Sequence, residues 1–413
     1  MLFNIGFKRR IILDIIKLIL IFSCIVMVIK LKKPLYVSIS AGILGTILLY
    51  GINPLQSIKL MKDGAFSLAT LNLILAFYTI TFLQRMMEKR DHLMLAEKSL
   101  SNLFNNRRVN AMIAPFIIGL LPSPGAVLIA SPIVDNAGEN YISIEEKTFI
   151  TSYFRHISEA FLPTYSTILL ALNLSGVDMT AFVIAMLPMV VVLFLLGYFM
   201  YVKIIPKDIE VKNTNNKRQD LKNLIISLWP IVFTIVIILM LKIPVHYAVF
   251  PIIILSFFLN KFSFEEIKPM FASAVESKLI LTTIVIMVFK EVLTFTGVIQ
   301  RLPEYFSALP IPPVIIFMLL FFFGTLVAGA QGMIAIAVPL AYATIPNGGL
   351  ALMVLIMCTT YIAMQISPTH ICLAIVVEHY GTSFIDLVKK TIPILLSFIV
   401  ISSLYSYLLY FLL

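Results

Sequence analysis

The residues best suited to chemistry in this chain lie beside two Pro-Thr pairs, each within a long apolar stretch. They are Arg155, His156, Glu159, Pro163 and Thr164 near the first pair, and Ser367, Pro368, Thr369 and His370 near the second. Proline removes an amide donor and obstructs the carbonyl one turn earlier, so each helix should unwind just before its proline. The next half-helix would then begin near Thr164 or Thr369, and its exposed amides and positive dipole end would attract an anion.

Arg155 and the two histidines each have two interpretations. Arg155 keeps its charge, so it either pairs with Glu159 one turn away or binds an anionic substrate. His156 is either a hydrogen-bonded structural residue or a coupling group. His370 lies beside the second break, and we expect it to contact substrate or carry a proton, because histidine titrates near neutral pH.

These candidates divide into two sets by expected role. We assign substrate binding to Arg155, Thr164, Thr369 and His370. The coupling ion could be a proton on Glu159 or His156. It could equally be sodium, held by backbone carbonyls that the breaks release around Pro163, Ser367 and Pro368.

The spacing His156-x-x-Glu159 also resembles half of a metal site on one helix face. An intramembrane metal-dependent enzyme using His156, Glu159 and His370 is therefore an alternative. Further ligands are not evident, because the chain has five histidines and its three cysteines lie in apolar runs without paired spacing. The sequence has no nucleotide-binding loop or hydrolase motif. We therefore predict no metal, no cofactor and no enzymatic activity.

The composition shows what surrounds these residues. Sixty per cent of the 413 residues are apolar, 13% are charged and the mean hydropathy is +1.01. A soluble domain is about half apolar and a quarter charged, so this chain needs lipid as its solvent. The net charge of +10 lies in short clusters between apolar runs. That arrangement indicates membrane topology rather than nucleic-acid binding.

An internal repeat divides the chain into two halves with six apolar segments each. The Pro-Thr pairs are 205 residues apart (163 to 368), and Gly119 matches Gly324 at the same offset. We expect an all-α polytopic membrane protein. Its two inverted repeats, residues 1–202 and 223–413, would be joined by a polar cytoplasmic linker at 203–222, with about ten spanning helices in total.

The fourth and fifth segments of each half are expected to be irregular. Four prolines between 115 and 132 cannot share one straight spanning helix. They predict a re-entrant hairpin at about 109–134, matched by a second at about 312–341. The broken fifth helices would run at about 148–174 and 350–378. Five true spans in each half would invert one half relative to the other. Counting basic residues by loop favours both termini outside.

The same residues carry a resemblance to known families. The run Gly119-Leu-Leu-Pro-Ser-Pro-Gly-Ala126 with Ser131-Pro132, and the segment from Ser367 through Gly381, resemble an uncharacterised prokaryotic integral membrane family, DUF401. In architecture the chain resembles the ion-transporter superfamily of citrate, dicarboxylate and gluconate carriers. The resemblance implies a homodimeric secondary transporter with substrate held at the hairpin tips. Those tips would be Ser123, Pro124 and Gly125 in the first half, and Gly329, Gln331 and Gly332 in the second. The dicarboxylate carriers have Ser-Asn-Thr there, so the substrate class does not transfer directly.

The combined expectation is a secondary active transporter in a prokaryotic inner membrane. It would move a small anionic, carboxylate-like organic solute, coupled to a proton or sodium gradient. A dimeric scaffold with a sliding, elevator-type transport unit fits this architecture. A cation/proton antiporter is the second transport hypothesis.

Overall fold

Helices make up the whole of the regular structure in the residues that can be described. The computed structural model describes residues 2–103, 106–120, 126–207, 217–307, 310–368 and 370–412. The sequence therefore folds as the apolar runs predict, because only helices and closed barrels satisfy backbone groups in lipid.

The first half contains ten helices, two of which meet at the first break. They are α1 (Leu2–Lys30), α2 (Leu35–Tyr50), α3 (Pro54–Ala65), α4 (Leu68–Lys89), α5 (His92–Leu103), α6 (Arg107–Ile118), α7 (Ala126–Gly138), α8 (Ile144–His156), α9 (Ser166–Ser175) and α10 (Met179–Gly197). A π-helical turn, Tyr198–Val202, extends α10.

The second half repeats this order of elements. It contains α11 (Lys217–Leu241), α12 (Val245–Leu259), α13 (Phe264–Ser273), α14 (Ser277–Phe295), α15 (Val298–Ser307), α16 (Pro313–Thr344), α17 (Gly349–Met364), α18 (Ile371–Tyr380) and α19 (Phe384–Leu412). Helix α16 takes the place of the α6–α7 pair. Helix α11 begins at Lys217, so it includes residues that the sequence assigned to the linker.

Six of the described helices are long and apolar enough to cross a bilayer by length and composition. They are Leu68–Lys89, Met179–Val202, Lys217–Leu241, Pro313–Thr344, Pro346–Met364 and Phe384–Leu412. The bent pair α13–α14, with a 43° angle between its helices, passes the same test when taken together. The chain is thus a multi-pass membrane protein.

Helices α10 and α19 run in opposite directions where they touch. Near the end of α10, the Tyr201 hydroxyl donates to the Lys390 carbonyl near the start of α19, at 2.6 Å. At the other end, the Tyr405 hydroxyl donates to the Ala185 carbonyl, at 2.8 Å. Helices α4 and α14 also pack together. Arg85 near the end of α4 pairs with Glu276, which immediately precedes α14, at 3.3 Å.

The first predicted hairpin folds as two short antiparallel limbs, α6 and α7. Arg107 at the start of α6 donates to the Asn136 carbonyl near the end of α7, at 2.8 Å. Limbs of 12 and 13 residues are about 18–20 Å long, too short for a hydrocarbon core of about 30 Å.

The second predicted hairpin lies within α16, which is interrupted at Gly329. Gly329 has φ 74° and ψ 161°, a conformation that is essentially restricted to glycine. A Cβ atom at Gly324 would overlap the side chain of Met333, although these residues would be about 13 Å apart along a straight helix. The chain therefore folds back at Gly329.

The helices form two groups. Helices α2, α3 and α4 pack against α12, α13 and α14 of the other half, while α7, α8 and α10 pack against α17, α18 and α19. Helix α9 contacts α4 of the first group and α16, which packs against α17 of the second group. The candidate site lies where these groups meet.

Candidate functional site

The first helix break lies between α8 and α9. Helix α8 ends at His156, a 3₁₀ turn covers Ile157–Ala160, and α9 begins at Ser166. Pro163 lies in the irregular segment and accounts for it. Proline has no amide hydrogen, so it cannot donate the backbone hydrogen bond that a continuing helix needs. The new helix begins two residues later than Thr164, the residue that the sequence placed at its mouth. Tyr165 is the N-cap instead, with no side-chain capping bond.

The second break lies between α17, which ends at Met364, and α18, which begins at Ile371. His370 is the N-cap of α18, so it occupies the position that the sequence gave to Thr369. Thr369 lies outside the described residues. Ser367 is buried at this break, whereas Pro368 is exposed.

Each break is hydrogen-bonded to the hairpin of its own half. In the first half, the carbonyl of Gly119 at the end of α6 accepts from the hydroxyls of Ser158 and Tyr165. In the second half, the Ser367 hydroxyl donates to the carbonyl of Leu326, at 3.4 Å. These bonds fix the position of the irregular backbone, which at membrane depth must be supported by protein or lie against a water-filled cavity.

A buried ion pair lies at the first break. Arg155 donates to the Glu159 carboxylate, one turn further along the chain. The side chain of Arg155 is 1% exposed and that of Glu159 is 11% exposed. A guanidinium cannot lose its charge, and a buried charge is tolerated only with a partner. The pair therefore neutralises two charges that would otherwise be costly at this depth.

Residues from both breaks meet beside this ion pair. The Nε2 atoms of His156 and His370 are 3.0 Å apart. Glu159 Oε1 lies 3.9 Å from His156 Nε2, and Cys372 Sγ lies 3.7 Å from an Arg155 nitrogen. One ligand atom from each of His156, Glu159, His370 and Cys372 lies within 4.8 Å of the other three.

A cavity of about 320 Å³ opens next to these residues. Its walls come from α4, from the first break, from the start of α9, from the start of α14 and from α18. The lining residues are Phe77, Ile80, Thr81, Gln84, Arg85, Arg155, Glu159, Thr164, Tyr165, Ser166, Glu276, Leu279 and Cys372. The buried Thr164 hydroxyl has no hydrogen-bond partner among the described residues, and Thr164 is one of the residues that line the cavity.

Arg155, Glu159 and Thr164 all line the cavity, which is necessary if they belong to one binding site. His156 and His370 form the cluster beside it. Pro163 is buried at the break without lining the cavity.

The second hairpin tip lies away from this cavity. Gln331 and Gly332 do not line this cavity. A Cβ atom at Gly332 would face Leu35 of α2. Gly329 forms the fold-back point of α16. Ser123, Pro124 and Gly125 lie outside the described residues.

Sequence reasoning missed several residues of the site. Tyr165 and Ser158 fix the break through their hydroxyls, while Arg85 and Glu276 form the partly exposed mouth. Cys372 was set aside because its spacing to the other cysteines is irregular. Its position two residues after His370, at the start of the half-helix, was the available signal.

Comparisons with known proteins agree with this architecture. The sequence model of a family described as "Protein of unknown function (DUF401)" matches residues 15–411. Among solved structures, the chain is similar to the Alcanivorax borkumensis YdaH transporter, with 12% sequence identity and a TM-score of 0.64. The match covers 87% of this chain and 90% of that one. At this identity the likeness concerns the fold. No curated protein matches the sequence.

Proposed function

The chain belongs to the DUF401 family, and we propose that it is a secondary active transporter of a small anionic, carboxylate-like solute. The observation that carries this proposal is the cavity at the first helix break, where Arg155 and the start of α9 lie side by side. The protein of similar fold is a transporter by its printed name, which supports the same class of function.

The cavity suits a small, polar and negatively charged solute. Its volume of about 320 Å³ is at the lower end of the range of roughly 300–1,000 Å³ for small-molecule sites. Arg155 supplies a permanent positive charge, and the amides at the start of α9 add a partial one. The Thr164 hydroxyl can donate to a carboxylate oxygen of the solute.

The cluster beside the cavity offers a route for energy coupling. Glu159, His156 and His370 are groups that can carry a proton. Glu159 also neutralises Arg155, so a proton on Glu159 would leave the guanidinium's charge to be balanced by the solute. Sodium held by carbonyls around the breaks would perform the same function. Either ion would bind together with the anion.

Alternating access would use the relationship between the two halves. Helices α10 and α19 run antiparallel, and Arg85 and Glu276 connect the end of α4 to the start of α14. Both observations support inverted repeats, a common architecture of secondary transporters. We further propose a homodimer in which the break-containing group of helices slides against the other group.

Transport by reconstituted protein tests the proposal. Purified protein in proteoliposomes should take up at least one member of a carboxylate panel under an imposed proton or sodium gradient. Absence of gradient-driven flux of every panel member, by folded protein, would contradict the proposal. Proton movement triggered by sodium without any organic solute would favour a cation/proton antiporter instead.

Thr164→Val provides the matched test of the cavity. The hydroxyl has no partner among the residues that the structure describes, so its loss should leave the melting temperature unchanged. It should lower uptake several-fold, because one hydrogen bond to the solute is worth about 1 kcal/mol. Thr167→Val, three residues later in the first turn of α9 and outside the cavity lining, is the control and should transport normally. Equal uptake by both variants would remove Thr164 from the binding site.

A further inference from the structure

We propose that His156, Glu159, His370 and Cys372 bind a divalent transition-metal ion of the zinc type. The four residues supply two imidazole nitrogens, a carboxylate and a sulfur, which are the ligand types that zinc takes in proteins. They come from both helix breaks, His156 and Glu159 from the first and His370 and Cys372 from the second. This inference does not depend on the proposed transport activity, although a bound ion and a coupling proton on His156, Glu159 or His370 exclude each other.

The orientation of His156 is that of a metal ligand. Its Nδ1 atom lies 2.6 Å from the carbonyl oxygen of Ser152. A carbonyl can only accept, so Nδ1 carries the hydrogen and Nε2 presents its lone pair. Metal-binding histidines are commonly held in this way, with the second ring nitrogen donating to a carbonyl or carboxylate.

The spacing of the ligand atoms also fits. Two nitrogens bound to one tetrahedral zinc at the usual bond lengths are roughly 3.3 Å apart. The Nε2 atoms of His156 and His370 are 3.0 Å apart. All four ligand atoms lie within 4.8 Å of one another, so small movements of the side chains would place each of them around one ion.

The site supplies two negative charges to a divalent ion, from Glu159 and a Cys372 thiolate. Because Arg155 pairs with Glu159, the loaded site would carry one net positive charge. A carboxylate has two oxygens and about four lone-pair positions. Glu159 can therefore bind the ion while it retains its contact with Arg155. Loading requires the thiolate form of Cys372, so binding should release a proton.

Cobalt(II) provides a direct spectroscopic test on the full-length protein in detergent. Titration should give one bound Co²⁺ per chain, with a sulfur-to-cobalt charge-transfer band that added Zn²⁺ abolishes. Cys372→Ser should lose the band, and His370→Gln should weaken binding about tenfold or more. Melting temperatures measured without metal identify any variant that fails to fold.

The chain contains matched controls of the same residue types. Cys358 is buried in α17 and His246 lies in α12, and neither belongs to the cluster. Cys358→Ser and His246→Gln should bind Co²⁺ as the unmodified protein does. Absence of Co²⁺ binding, or a charge-transfer band that persists in Cys372→Ser, would overturn the proposal. So would an equal loss of affinity in the control variants. None of these outcomes depends on whether the protein transports a solute.

Discussion

At the scale of single residues, the molecule depends on a charge buried at a helix break. Arg155 is among the largest side chains that the fold encloses almost completely. Its pairing with Glu159 meets the electrostatic requirement, and its place in the cavity wall gives it access to a solute. The sequence left these two roles as alternatives. The structure places Arg155 where both are possible.

Neutralising the two partners singly and together separates the roles of Arg155. Arg155→Gln should destabilise the protein strongly, because removing one partner of a buried pair costs about 3–5 kcal/mol. Glu159→Gln should destabilise it for the same reason. The double variant removes both charges and should recover much of the melting temperature while uptake stays absent. The measurements are thermal unfolding and proteoliposome uptake.

An exposed ion pair at the start of α19 is the control for this series. Asp386→Asn with Lys389→Gln removes an ion pair of similar spacing and should change neither quantity, since exposed pairs contribute about 0–1 kcal/mol. Normal uptake by the Arg155/Glu159 double variant would show that the buried pair is structural.

The sequence indicates a contact between residues one helical turn apart, but it does not indicate contacts between the two halves. The contact of Arg155 with Glu159 follows from helical periodicity, since residues four apart lie on the same face. The contact of His156 with His370 joins residues 214 positions apart. Periodicity carries no information about such a contact.

At the scale of elements, the close approach of hairpin and break limits what the chain can tolerate. A Cβ atom at Gly119 would overlap the backbone carbonyl of Arg155 and crowd the Ser158 hydroxyl. Backbone atoms cannot move aside as a flexible side chain can. The end of α6 can therefore approach the first break this closely only because residue 119 has no side chain.

Gly119→Ala should lower the melting temperature and reduce uptake, because the added methyl group forces α6 away from the break. Gly45→Ala is the control. A Cβ atom there meets only Ile21 at 3.9 Å, and alanine is favoured over glycine in a helix by about 1 kcal/mol. That variant should be at least as stable as the unmodified protein. Equal stability of the two variants would show that the break can adjust its backbone.

Most elements were predictable because their apolar runs are long. The interruptions between α8 and α9 and between α17 and α18 lie at the two prolines of the Pro-Thr pairs, and the re-entrant hairpins stay predictions. The four short helices α3, α5, α13 and α15 were not among the predicted apolar segments. Helices α3, α5 and α13 each carry several polar or charged residues within 10–12 positions. Hydropathy detects spans and does not detect amphipathic helices of this length.

At the scale of the whole molecule, charge and contacts agree on which segments share a side of the membrane. Positive charge placed the loops near Arg85, Lys278, Lys147 and Lys390 on one side. The structure joins them through the ion pairs of Arg85 with Glu276 and of Lys390 with Glu146. Arg85 and Glu276 also line the cavity. The positive-inside rule predicts that this side faces the cytoplasm.

Labelling of single cysteines in whole cells checks that orientation. In a protein without its three natural cysteines, Lys242→Cys in the α11–α12 loop should react with a membrane-impermeant maleimide added outside. Lys278→Cys at the start of α14 should react only after the cells are permeabilised. Both positions are exposed. The reverse pattern would place both termini in the cytoplasm.

The distance along the chain between the two breaks has a consequence for synthesis. Translation at roughly 5–20 residues per second makes His370 and Cys372 about 10–40 seconds after Arg155. During that interval the first half must reside in the bilayer with a guanidinium whose later neighbours do not yet exist. Glu159 is made at almost the same moment, one turn away. The first half can therefore enter the membrane with Arg155 already paired with Glu159, before the second half is made.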